Sequence, residues 1–210
     1  MHLIGYCQVR PNRDIEEEDA LKILVPNQCM IVDDRANESM THPLFFLAGP
    51  VRGGGDWQHQ MCLLLKKRKL VEDCVIVCPC RWDQGHSLAP HFGGVQENTF
   101  ARQLDWERHY LELAGLRLKS GCIIFWLGCE SKEAPHPGPE PYGMDTRGEL
   151  GEWRWRMKVE NARVVIGADE DFFGLSQIQR NFSQALGYDF PIYQTLEETA
   201  KAASMIALGL

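Results

Sequence analysis

The chain has 210 residues, 44% of them hydrophobic and 24% charged, the make-up of one globular unit with a buried core rather than a disordered or fibrous protein. Its formal net charge of -7 speaks against a protein whose main partner is a nucleic-acid backbone, because that affinity rests on clustered Lys and Arg. No apolar run approaches the ~20 residues of a bilayer span and the first ten residues lack the pattern of a secretory signal, so a cytoplasmic protein without a membrane partner is expected, its eight cysteines reduced and partly core.

Residues 1–42 read as an N-terminal extension. Two short apolar segments, Leu3 to Val9 and Cys29 to Val32, flank an acidic stretch with Glu16, Glu17, Glu18 and Asp19, a pattern that suits a hairpin packed on a sheet edge. From residue 43 to 210, short apolar runs alternate with longer helical patterns, the signature of βαβ units and a parallel sheet. The expected strands are Leu44 to Leu47, Cys74 to Cys78, Cys122 to Leu127, Arg163 to Ile166 and Pro191 to Tyr193. The expected helices are Trp57 to Lys69, Asn98 to Leu116, Thr146 to Lys158, Ser176 to Leu186 and Leu196 to Leu208.

Two long connections, Pro79 to Glu97 and Gly128 to Asp145, break this rhythm. Both leave the carboxyl ends of strands, where open α/β sheets bind ligands, and loops of such length in a compact domain are usually functional or disordered. The second, with Pro135, Pro137, Pro139 and Pro141, reads as a mobile flap. Cys78, Cys80, His86 and His91 are the nearest approach to a metal set, but Cys-Pro-Cys is not a zinc knuckle, and neither a metal nor a cofactor is expected. The basic run Lys66 to Lys69 reads as a solvated helix end.

Three segments could carry chemistry. In the first, Phe45 to Trp57, a strand runs into a glycine-rich turn and a helix. Gly49, Gly53 and Gly54 would let backbone N–H groups approach an anion at a helix start, Arg52 suits a phosphate and Trp57 a base. Neither the P-loop nor the dinucleotide spacing is present, and a tight turn capped by Asp56 is the structural alternative.

In the second segment, Phe100, Gln103, Leu104, Glu107, Leu111 and Ala114 share a helix face, so Gln103 and Glu107 interrupt an apolar stripe and need partners. Those partners are neighbouring groups or a ligand in the cleft; Asp105 lies on another face. The third segment runs from Tyr142 to Trp153. Thr146-x-x-Glu149 is a capping box, which would make Glu149 structural. Gly148 and Gly151 in the first turns argue that something approaches the backbone there, and a helix-start carboxylate stays ionised and nucleophilic.

These segments, in this order, resemble the nucleoside 2-deoxyribosyltransferase-like family over roughly Leu44 to Tyr193. Glu149-Leu150-Gly151 is similar to the Glu-Leu-Gly of the family's nucleophile helix, and Phe46-Leu47-Ala48-Gly49-Pro50 to its opening strand and substrate loop; Gln103 to Glu107 is similar to a segment of a divergent branch. The resemblance implies a flavodoxin-like, doubly wound α/β fold, a five-stranded parallel sheet flanked by helices. It also implies a homodimer or higher homo-oligomer and attack by Glu149 on the anomeric carbon of a sugar.

Asp145 is then the expected catalytic partner, for orientation or proton transfer. Gly49, Arg52, Gly53, Gly54, Trp57, Gln103 and Glu107 would bind substrate. The sequence departs from the family at Phe45 and Phe46, which lack the hydroxyl of a strand tyrosine, and at Glu152-Trp153. The expected function is cleavage or transfer of the N-glycosidic bond of a small-molecule nucleoside or nucleotide. The alternatives are a non-catalytic nucleotide-binding or signalling module and an NAD-cleaving glycohydrolase.

Overall fold

The structure, a computed structural model, describes residues 22–26, 42–68, 74–79 and 100–210. The strands are β1 (Lys22–Leu24), β2 (Leu44–Ala48), β3 (Val75–Val77), β4 (Gly121–Leu127) and β5 (Val164–Ala168). The helices are α1 (Trp57–Lys66), α2 (Phe100–Glu112), α3 (Met144–Glu160), α4 (Leu175–Leu186) and α5 (Leu196–Ala207). The strands form one sheet in the order β1-β3-β2-β4-β5, and every pair in it is parallel. This is the flavodoxin-like α/β architecture.

A parallel sheet carries helices on both faces, so its strands must be apolar on both sides. β2, β4 and β5 are buried along their whole length. Period-two alternation sends Phe45, Leu47, Ile124, Trp126 and Val165 to one face, against Trp57 and Met61 of α1 and Ala200 and Ala203 of α5. It sends Leu44, Phe46, Ile123, Phe125 and Ile166 to the other, against Trp106 and Tyr110 of α2, Leu150 and Trp153 of α3, and Phe182 of α4.

α2 runs on into a π-helical turn, Leu113–Arg117. Trp153 and Ile123 press on Gly115 so closely that a Cβ there would lie 2.8 and 2.9 Å from their side chains. Carbonyls around this turn are taken up by one side chain: Arg163 donates to the Gly121, Ala114 and Leu118 carbonyls.

The structure departs from the sequence expectation at β1, at Pro191 to Tyr193 and on α2. The fifth strand is β1, pairing parallel with β3 at the sheet edge. Pro191 to Tyr193 contributes only a bridge between Tyr193 and Gly167, because Pro191 has no N–H to give and the Phe190 N–H before it is held by Ser183 Oγ. The proposed hairpin segments Leu3 to Val9 and Cys29 to Val32, and the acidic stretch Glu16 to Asp19, lie outside the described residues, as do Cys80, His86 and His91.

On α2, the buried residues are Gln103, Trp106, Tyr110 and Leu111, while Leu104 is 47% exposed. Trp106 packs tilted against Tyr110 with centroids 5.0 Å apart and lies 6.5 Å from Phe46, and with these large rings turned inward Leu104 faces outward. Among the described residues, no helix is long and apolar enough to cross a membrane.

Candidate active site

The order of the strands creates the site. β2 leads into α1 on one face of the sheet, and its neighbour β4 leads through the Gly128 to Gly143 connection into α3 on the other. Adjacent strands whose following chains diverge to opposite faces open a crevice at their carboxyl ends, the topological switch point at which such sheets bind ligands.

The proline-rich connection is docked on the β2–α1 loop rather than swinging free. Ser131 N–H donates to the Gly53 carbonyl at 2.7 Å, the Tyr142 hydroxyl donates to the Gly128 carbonyl at 2.8 Å, and His136 N–H donates to Glu130 Oε1 at 2.7 Å. Gly53 and Gly54 have packing reasons of their own: a Cβ on Gly53 would lie 2.7 Å from His136 N, and one on Gly54 would strike the Pro50 carbonyl and lie 3.4 Å from the Tyr142 hydroxyl. Gly49 likewise lies under the Trp126 carbonyl and 2.9 Å from the Trp57 ring.

Arg52 extends from this loop, exposed and without an ion pair among the described residues. Trp57 does not face the crevice. It is 3% exposed, packed in the core between α1 and α5, with its indole N–H donating to the Pro50 carbonyl at 2.9 Å. Asp56 stands at the N-cap of α1 but makes no capping hydrogen bond, and lies 3.5 Å from His59 Nδ1.

The capping box is absent. α3 begins at Met144, behind Gly143 in the left-handed conformation (φ 68°), with no side-chain cap. Thr146 falls inside the first turn and is buried, and Glu149 falls in the second turn, beyond the first N–H groups that a cap serves. Glu149 has no capping role.

It meets other carboxylates instead. α2 and α3 pack on the same face of the sheet, and Glu149, partly buried, lies within electrostatic reach of Glu107 from α2 and of Asp145 and Glu152 from its own helix. Gln103, buried beneath, donates Nε2–H to Glu107 Oε1 at 2.7 Å. The two polar residues that interrupt the apolar stripe of α2 thus serve each other and present Glu107 toward α3.

Burial first, and then the charges of Glu107, Asp145 and Glu152, push the Glu149 carboxyl up to about 8. The expectation that the helix dipole keeps Glu149 ionised is overturned: the dipole acts mainly within the first turn, and burial and like charge outweigh it. At neutral pH the free protein holds a proton here. A carboxyl that keeps its proton beside carboxylates can donate it, and the cluster as a whole favours positive charge developing nearby.

Tyr142 was not singled out as a site residue, yet it brings a half-buried phenol next to Gly54 at the crevice. Burial, followed by Cys129, Glu130 and Asp169, raises its pKa, so it stays a hydroxyl donor. In the sequence it stands out only as the first residue of the third segment, at the end of the proline-rich connection. Asp169, at the end of β5, accepts the Cys129 N–H at 2.7 Å. Among the described residues, no group of His, Cys, Asp and Glu is arranged to hold a metal ion, and Cys62, Cys74, Cys78, Cys122 and Cys129 are free thiols. No protein-family model matches the chain, and no curated protein matches it either.

Proposed function

We propose that this protein cleaves or transfers the N-glycosidic bond of a small nucleoside or nucleotide, with Glu149 as its working carboxylate and Asp145 as proton carrier. The observation that carries the reading is the cluster itself: a partly buried glutamate, freed of any capping role, within reach of Glu107, Asp145 and Glu152 near the carboxyl edge of a doubly wound sheet.

In the reaction the C1′–N bond breaks and its electron pair goes to the base nitrogen. That nitrogen takes up the proton held by Glu149, passed through Asp145. The Glu149 carboxylate so formed closes on C1′, and Glu107 and Glu152 stabilise the oxocarbenium-like charge on the way. Water resolves the glycosyl ester to free sugar; a second base resolves it to a new nucleoside. Arg52 takes a 5′-phosphate where one is present, and Gln103 fixes Glu107.

Incubation with mixed nucleosides, 5′-monophosphates and NAD, followed by mass analysis of products and of the protein, tests the reading. Free base and a glycosyl adduct on Glu149 are expected, and both should vanish in Glu149→Gln. Unchanged base release by that variant overturns the assignment, and nicotinamide as the sole product would select NAD as substrate. Because the proton on Glu149 is part of the reaction, kcat/KM should fall as pH rises through about 8; a rise over that range would show that the proton must leave first.

A homo-oligomer belongs to the same reading. Met144 and Trp155 on α3, and Phe173 at 87% exposed, support it as large apolar side chains open to a second copy. Sedimentation of the purified chain measures it directly.

A further inference from the structure

Gln58, in the first turn of α1, is 1% exposed, and neither its Nε2 nor its Oε1 meets a hydrogen-bond partner. Among the described residues it alone has two such atoms. An amide shut away from water with both ends unpaired costs stability. Methionine or leucine would fill nearly the same volume without that cost, so packing does not account for a glutamine here.

Its position says what it serves. Gln58, Cys62 and Leu65 recur at helical spacing on the buried stripe of α1, the stripe that packs on the sheet. Being in the first turn, Gln58 stands at the carboxyl edge, next to the Gly49 to Asp56 loop and on the far side of the crevice from the helix that carries Glu149. A nucleoside laid across that edge would put its sugar toward α3 and its base toward α1.

We infer that Gln58 reads the nucleobase. A carboxamide offers a donor and an acceptor side by side, which matches a base edge carrying an amino group beside a ring nitrogen, as in adenine and cytosine. Nε2–H donates to the ring nitrogen and Oε1 accepts from the amino group. The inference rests on the glycosidic reading for its substrate class and adds the residue that selects the base.

The test is thermal denaturation and calorimetric binding of wild type, Gln58→Met and Gln58→Leu. The ligands are adenosine against purine riboside, which lacks the amino group, and cytidine against 2-pyrimidinone riboside. Without ligand, at least one variant should melt no lower than wild type. Wild type should bind the amino nucleoside roughly 10- to 100-fold more tightly than its partner, and the variants should bind both alike.

Two variants that both melt well below wild type, or that keep the preference for the amino base, overturn the inference. If wild type discriminates through Gln58 yet releases no base, the chemistry fails and base reading stands. If no nucleoside binds wild type, both fail.

Discussion

Glu149 concentrates the conflict between stability and chemistry that functional residues carry. Its carboxyl sits near 8 in the folded chain against an ordinary 4.5, so between those values the folded state binds more protons than the unfolded one. Stability then declines as pH rises through this window and levels off above it. Glu149→Gln imitates the protonated form and removes the decline. It should match wild type in thermal stability near pH 4 and exceed it at pH 9, by on the order of 2 to 4 kcal/mol, while losing base release. Equal stability at both pH values would mean that neither burial nor its carboxylate neighbours raise the Glu149 carboxyl.

At the scale of elements, α3 is a helix whose sequence is poorer than its structure requires. Gly148 and Gly151 lie in its second turn, and a Cβ at either would meet nothing within 4 Å. The expectation that something approaches the backbone there finds no such neighbour among the described residues. Gly148→Ala should therefore stabilise the chain by about 0.5 to 1 kcal/mol in chemical denaturation. A loss of base release in the same variant would assign the open space to the ligand or a second subunit.

The π-helical turn after α2 works in the opposite sense, since Arg163, just before β5, reaches across to satisfy carbonyls around it. Arg163→Met removes the donor from the Gly121, Ala114 and Leu118 carbonyls. It should cost about 2 to 4 kcal/mol in the same measurement.

Across the whole molecule, the site depends on two connections, far apart in the chain, closing on each other over the switch point. Gly53 is the tightest joint, with φ 79° and no room for a Cβ against His136. Gly53→Ala should lift the Gly128 to Gly143 connection, break the Ser131 to Gly53 hydrogen bond and destabilise the fold by about 1 to 3 kcal/mol. Faster proteolysis within residues 128–143 would report the lift; unchanged cleavage and melting would show that the two loops are not coupled.

The parallel α/β order, four of the five strands and each helix among the described residues were legible along the chain to within a few residues, because β2, β4 and β5 are apolar throughout and the helices between them keep their period. The sequence also singled out Gln103 and Glu107, as polar residues at positions that periodicity reserves for apolar ones, and Glu149 and Asp145, through the glycine-flanked helix start and the Glu-Leu-Gly resemblance. Only the tertiary structure decided what each of them faces. The capping box of Thr146 and Glu149 dissolved when Gly143 started the helix two residues early. Trp57 went to the core because its ring fits beneath Gly49, and the Glu149 carboxyl is raised first by its burial and then by Glu107, 42 positions away in sequence. Hydrophobic period is local and can be read along the chain; burial of a carboxyl and the approach of a like charge from another helix are properties of the folded whole.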